Sequence, residues 1–269
     1  MTGTMSDQGL AGDLLPRTQR TGRKSTTQLV RALMAAELRV FLRQPVMVAL
    51  TLLLPAGLIA ITALAETASD PELWAQIAGR NMVATQCITV YFVALNTVTA
   101  RRHTLALKRL RTTALPSLGI VAGLLAAPLL VGAFQVTAVF VGLVVLGSPV
   151  PQQPELVVVS GVFGMVVAAL AGVATSGFTA TPEKAQWTML PLFVAAMGAT
   201  AILPAVDSGI ADIAVRAVPL VANAHLATAG WYSASLDVGA VVVDLVLMAA
   251  WTVVLAIVSW RSFRWERRH

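Results

Sequence analysis

Past residue 45 the chain repeats one pattern: a long apolar run, then a short polar break. Six runs approach the about 20 residues, at about 1.5 Å each, that a helix needs to cross a bilayer. They cover residues 46–65, 83–100, 118–147, 156–177, 185–204 and 238–260. Unbroken apolar runs of this length predict helices rather than strands. The third run exceeds one crossing, so it is expected to tilt and to kink at Pro128. Residues 205–230 are too interrupted by polar positions and Pro219 to read as a clean crossing.

Upstream, from Ser25, the period is that of an amphipathic helix. Val30, Met34, Leu38 and Phe41 form one stripe, flanked by Leu29 and Leu33, while Arg31, Arg39 and Arg43 recur on another. Thr26 or Thr27 is the expected cap, and Arg43 and Pro45 mark a bend before the first run. A basic amphipathic helix feeding a span is expected along the membrane interface. Attachment to acidic headgroups and docking of a protein remain equally open for it. Residues 1–24 are polar, carry Arg17, Arg20, Arg23 and Lys24, and lack the apolar stretch of a secretory signal. Disorder is expected there.

Composition turns the pattern into a class. Of 269 residues, 57% are hydrophobic and 12% charged, against roughly half and a quarter in soluble domains. The excess apolar surface must face lipid. Aromatic residues are only 6%, which fits packed transmembrane helices and not a β-barrel with aromatic girdles. The single cysteine, Cys87, lies within an apolar run and allows no internal disulfide. His103, His225 and His269 are far apart, and no metal-ligand spacing occurs.

The net charge of +6 matters less than where the charges fall. Seventeen of the nineteen lysines and arginines lie in the N-terminal segment, the 101–111 loop, the loop with Lys184 or the C-terminal tail. Only Arg80 and Arg216 fall on the other side, with Glu66, Asp70, Glu72, Glu155, Asp207 and Asp212. The rule that basic loops stay inside then predicts cytoplasmic termini in the cell membrane. An even number of spans agrees. Nucleic-acid binding is not implied by charge distributed in this way.

Catalytic patterns are missing. There is no Gly-x-x-x-x-Gly-Lys-Ser/Thr phosphate loop, no Gly-x-Ser-x-Gly elbow and no close pair of intramembrane carboxylates. The chain alone is not expected to be an enzyme. Asp244 is the one carboxylate well inside a run, with Asp237 at the edge of the same run. It either pairs with a polar group on a neighbouring helix or faces a substrate path. Gln86, Thr89, Asn96 and Thr97 make the second run unusually polar, for bonding across helices or for lining a cavity. Gly119 and Gly123 form a Gly-x-x-x-Gly pair, a weak packing signal in so small-residue-rich a chain.

In the basic loop, Leu107 and Leu110 stand at helical spacing before Leu115-Pro116, which predicts a short helix ending in a turn. Exposed between two spans, it is suited to receive force from a cytoplasmic partner. Leu107-Lys108-Arg109-Leu110-Arg111-Thr112-Thr113-Ala114-Leu115-Pro116 resembles the Leu-Lys-Arg-Leu-Arg-x-Thr-Pro-Leu-Pro stretch of ABC-2 type permeases, the membrane subunits of ATP-driven exporters. The tail Trp260-Arg261-Ser262-Phe263-Arg264-Trp265-Glu266 is similar to the ending of actinobacterial members related to daunorubicin-type efflux permeases. The entry Glu37-Leu38-Arg39-Val40-Phe41-Leu42-Arg43-Gln44-Pro45 resembles the family's helix before the first span. The resemblance spans nearly the whole chain past residue 25. Two departures stand out: Thr113-Ala114 replaces the usual Thr-Pro, and Val218-Pro219 and His225 occupy the region where many members carry Asn-Pro and a later Arg.

The resemblance implies an all-α integral membrane fold. It has six transmembrane helices, an interfacial connecting helix over 25–44, a coupling helix over about 101–116 and short outer helices over about 205–231. It also implies a dimer of permeases, with a second copy or a related chain. Two separate cytoplasmic ATPase subunits would use ATP and Mg, and this chain would bind no cofactor itself. Expected coupling contacts are Arg102, Leu107, Lys108, Arg109, Leu110 and Leu115, supported by Arg39 and Arg43. Exposed ion pairs contribute only about 0 to 1 kcal/mol each, so the leucines are expected to dominate docking. Gln86, Thr89, Asn96 and Asp244 are the expected path residues. With few charges in its walls, such a path suits an amphipathic or lipidic small molecule. The alternatives are a membrane scaffold or sensor that moves nothing, and a membrane enzyme, for which no convergent titratable groups are found.

Overall fold

A computed structural model describes residues 25–64, 70–112, 116–206 and 209–262, and all the regular structure among them is helical. The expected disordered tail, residues 1–24, lies outside the described residues, as do Leu115 and most of the C-terminal tail motif.

Helix α1 (Thr26–Leu42) begins where a capping box begins. The Ser25 hydroxyl accepts from the Gln28 N–H at 3.3 Å, and the Ser25 N–H donates to Gln28 Oε1 at 3.1 Å. The expected caps Thr26 and Thr27 are thus replaced by Ser25. Only Ser25 has a Gln or Glu three residues on to return the bond. Helix α2 (Pro45–Leu64) follows the bend at Arg43, and its Thr51–Leu64 stretch is a short apolar helix.

The second expected span is longer than its apolar run. Helix α3 (Pro71–Thr85) starts with Asp70, whose carboxylate accepts from the Glu72 N–H at 2.9 Å, and with Pro71 at the first helical position. It continues through a π-helical segment (Gln86–Tyr91) into α4 (Phe92–His103). The whole stretch is 33 residues, about 50 Å long at 1.5 Å per residue, well beyond the hydrocarbon thickness of ~30 Å. Gln76, Arg80 and Asn81 hide its first half from a hydropathy reading.

A short helix α5 (Ala106–Arg111) separates α4 from α6 (Ser117–Val145). Helix α6 ends at Gly147, whose φ of 102° only glycine adopts cheaply. There the Ser148 N–H reaches the Leu143 carbonyl at 3.0 Å, satisfying a carbonyl the helix leaves free. Then come α7 (Pro154–Ser176), α8 (Ala185–Ile202), α9 (Ile210–Arg216), α10 (Val221–Trp231) and α11 (Val238–Ser262). Helices α9 and α10 are bent by 106° relative to one another, as expected for an interrupted segment.

Small residues set the packing. Helix α7 lies at the centre, against α4, α10 and α11, and buries Gly164, Ala168, Ala171 and Gly172. A Cβ on Gly172 would come within 2.8 Å of the Ala94 Cβ, so backbones approach as in small-residue membrane interfaces. The Gly119–Gly123 pair is likewise a contact. Val30 and Leu33 of α1 sit over these two glycines, docking the amphipathic helix on α6.

Among the described residues, five helices are long and apolar enough to cross a membrane. They are Pro71–His103, Ser117–Val145, Pro154–Ser176, Pro182–Ala205 and Val238–Ser262. The α9–α10 pair makes a sixth if it is one broken span. Exposed apolar side chains such as Trp187, Val194, Val246, Val253 and Trp260 line their outer faces. The molecule is therefore an α-helical bundle built to be embedded in a membrane.

Candidate functional site

The two ends of the bundle carry different chemistry. At one end, α4 runs into the basic loop beside the end of α7. Arg102 is 2% exposed. Its Nη1 donates to the Ser176 carbonyl at 2.7 Å and its Nη2 to the Thr179 carbonyl. Carbonyls at a helix C-terminus carry partial negative charge, so the guanidinium is well placed there. Leu107 is fully buried against Ile120 and Leu124 of α6, with Leu110 packed beside it. Arg102 and Leu107, expected as coupling contacts, are thus turned inward and brace the loop. Arg109 is exposed, as is Leu105, which holds a left-handed φ of 58° before α5. The Lys108 side chain and Leu115 lie outside the described residues.

Arg39 and Arg43 are exposed on α1, a separate element. Glu37, on the opposite face of α1, is buried and accepts from Arg101 Nη2 at 2.6 Å, tying α1 to α4.

The expected path residues do not converge. Gln86 donates to the Gly161 carbonyl at 3.3 Å and accepts from Asn223 Nδ2 at 2.7 Å, joining the π segment to α7 and α10. Thr89 donates to Gln135, whose Nε2 reaches the Thr51 carbonyl at 3.0 Å. A π-helical turn re-aims its side chains, and here Gln86 and Thr89 point to opposite neighbours. Thr89 also lines an apolar cleft of about 370 Å³. Asn96 lines a mixed recess of about 180 Å³ in which Glu37, Gln44, Thr97 and Arg101 stand among apolar side chains such as Phe41, Phe92 and Leu124.

Asp244 lies near the opposite end and has no exposure at all. Its Oδ1 accepts from Arg216 Nη1 at 3.0 Å, and its Oδ2 lies 2.6 Å from His225 Nδ1. Arg216 also bonds Asp212, one turn back on α9, and the Ala240 carbonyl at 3.3 Å. Trp251 Nε1 adds a bond to the Ala217 carbonyl at 2.8 Å. The bent pair is thus held to α11 by the buried Arg216–Asp244 ion pair and the His225 and Trp251 hydrogen bonds, the helix-to-helix pairing that was one of the two readings of Asp244. Arg216 and His225 were not among the expected site residues. The available signals were the Asp212–Arg216 spacing of four and an arginine isolated from every basic cluster. Beside this knot a cavity of about 560 Å³ opens between α8, α9, α10 and the start of α11, with Asp212, Arg216, His225, Thr228 and Asp237 in its wall.

Fold and site together define an integral membrane helical protein with a braced basic loop at one end and an ionic knot near the other. No protein-family model matches the chain, and no curated protein matches it.

Proposed function

We propose that this chain is the membrane subunit of an ATP-driven exporter. It would move an amphipathic or lipidic small molecule out of the cytoplasm or inner leaflet, with ATP and Mg used by a separate cytoplasmic ATPase. The observation that carries the reading is the bracing of α5. Leu107 anchors it in α6, and Arg102 ties the preceding helix to the end of α7. A push on α5 therefore reaches two long apolar helices directly. The resemblance of residues 107–116 to the ABC-2 stretch supports the same reading.

In this scheme ATP-driven closure of the ATPases does work only by favouring one arrangement of the helices over another. Leu105, Arg109 and Leu110 form the contact, while Leu107 and Arg102 transmit. Both termini face the cytoplasm, and two permeases pair, each supplying half of the path.

The test is co-purification with a co-expressed cytoplasmic ABC-type ATPase, together with substrate-stimulated hydrolysis in reconstituted lipid. Leu105→Asp is the informative change, because Asp tolerates the left-handed backbone better than Leu and replaces an exposed apolar contact with a charge. Combined with Arg109→Glu, it is expected to detach the ATPase or abolish stimulation, with insertion unchanged. Parent-like behaviour in both assays would reduce the loop to a topological anchor. An ATPase that binds but never responds to any compound would favour the scaffold or sensor reading.

A further inference from the structure

The cavity of about 560 Å³ beside the ionic knot has no part in the reading of the basic loop, and its charges do not balance. Asp212 and Asp237 line it, and Asp244 stands behind its wall, bonded to the wall residues Arg216 and His225. Arg216 is the one wall cation of fixed charge, and Asp212 and Asp244 share it. Asp237 has no cationic partner among the described residues. Three carboxylates against one guanidinium leave two negative charges, and protonation of His225 would still leave one. On α3, Glu72 and Arg80 stand one turn to either side of the wall residue Gln76; they are opposite in sign, and neither lines the cavity.

The wall also decides what kind of cation fits. Asp237 Oδ1 accepts from the Gly239 and Ala240 N–H groups at 2.8 and 3.2 Å, at the start of α11. Its Oδ2 carries no bond among the described residues and is open to a donor. His225 bonds Asp244 through Nδ1, so in the neutral ring Nε2 is a further acceptor. Among the described residues no three His, Cys, Asp or Glu side chains are grouped closely enough to hold a metal ion. A compact dication therefore finds no ligand set. No aromatic ring stands in the wall, so there is no cage for a quaternary ammonium. The acceptors come instead from three elements, with Leu203, Ile213 and Val241 in the same wall. That mixture suits an extended cation with N–H donors at its ends and methylenes between them.

We infer that this cavity is a binding site for an aliphatic diamine in its doubly protonated form. One ammonium donates to Asp237 at the start of α11, and the other to Asp212 and His225 Nε2. The methylene chain lies on the apolar part of the wall. Charge by itself would admit any cation; the spread of the acceptors over α9, α10 and α11 selects an extended one. The inference does not depend on the exporter reading and holds whether or not the chain moves anything.

The test is isothermal titration calorimetry on the full chain in phosphatidylcholine nanodiscs, whose headgroups carry no net charge. The titrants are 1,4-diaminobutane, butylamine, tetramethylammonium and magnesium ion. The parent is expected to bind diaminobutane about fivefold more tightly than butylamine, the upper end for one partly exposed charge pair. Tetramethylammonium and magnesium should bind more weakly than either amine. Asp237→Asn keeps the cap of α11, because Asn caps a helix as well as Asp does, and removes one charge. It should weaken diaminobutane about fivefold and make the diamine and the monoamine bind alike. Glu155→Gln, at an exposed acid outside the cavity, should change neither. Ala229→Phe fills the cavity from a wall position that takes no part in the knot and should abolish binding of both amines. If that variant fails to fold, Asp237→Asn decides the matter. Equal affinity of the parent for diamine and monoamine would overturn the site, as would an unchanged diamine affinity in Asp237→Asn. Magnesium binding more tightly than the diamine would assign the charge to a metal ion and overturn it too.

Discussion

Asp244 is where a single side chain matters most. It holds Arg216 and His225 from a position with no solvent contact. Removing one partner of a buried ion pair typically costs about 3 to 5 kcal/mol, because the other charge is left uncompensated. Asp244→Leu is therefore expected to lower the midpoint of denaturation in detergent strongly and to loosen α9–α10 from α11. Asp244→Asn keeps one acceptor oxygen for Arg216 and offers an amide N–H to His225 Nδ1, which accepts in its other tautomer, and is expected to fall well short of that loss, with assembly retained. A denaturation series on the two variants checks this. Equal midpoints for the two would show that the knot carries no stability.

At the scale of elements, contacts between helices depend on missing side chains. Leu33 of α1 occupies the space a Cβ would need at Gly123, with its Cγ 2.7 Å from that position. Gly123→Val is expected to lift α1 off α6 and raise protease cleavage between them. Leu33→Ala in the same chain should restore protection by making room. If Gly123→Val is protected like the parent, the close approach is not needed for docking. The same element shows how far the sequence could be read. The amphipathic stripe of α1 was evident from Val30, Met34, Leu38 and Phe41. Its seat on Gly119 and Gly123 was not, because a Gly-x-x-x-Gly pair in so small-residue-rich a chain names no partner. Helix α3 escaped for the converse reason. Its start signals, Asp70-Pro71-Glu72, were present, but Gln76, Arg80 and Asn81 kept its first turns out of an apolar run.

For the whole molecule, the basic loop and the ionic knot lie toward opposite ends of the long helices. The positive-inside rule then predicts opposite accessibility. Cysteine at the exposed position Thr112 should react with an impermeant thiol reagent only after permeabilisation, and cysteine at exposed Ser235 in intact cells. The native Cys87 is buried and leaves a clean background. Reaction at Thr112→Cys in intact cells would invert the proposed orientation.

Partition into lipid is a sum over many side chains, and a sum can be read from one dimension. Run length and composition therefore determined by themselves that this is a helical membrane protein with helices near residues 118–147, 156–177, 185–204 and 238–260. Pairing is a property of two distant positions and cannot be summed along the chain. Only the tertiary structure decided that Asp244 meets Arg216 and His225, 28 and 19 residues away. It also turned Arg102 and Leu107 inward, against α7 and α6. A buried charge, a buried leucine and a cleft are each defined by the neighbour that packing brings against them.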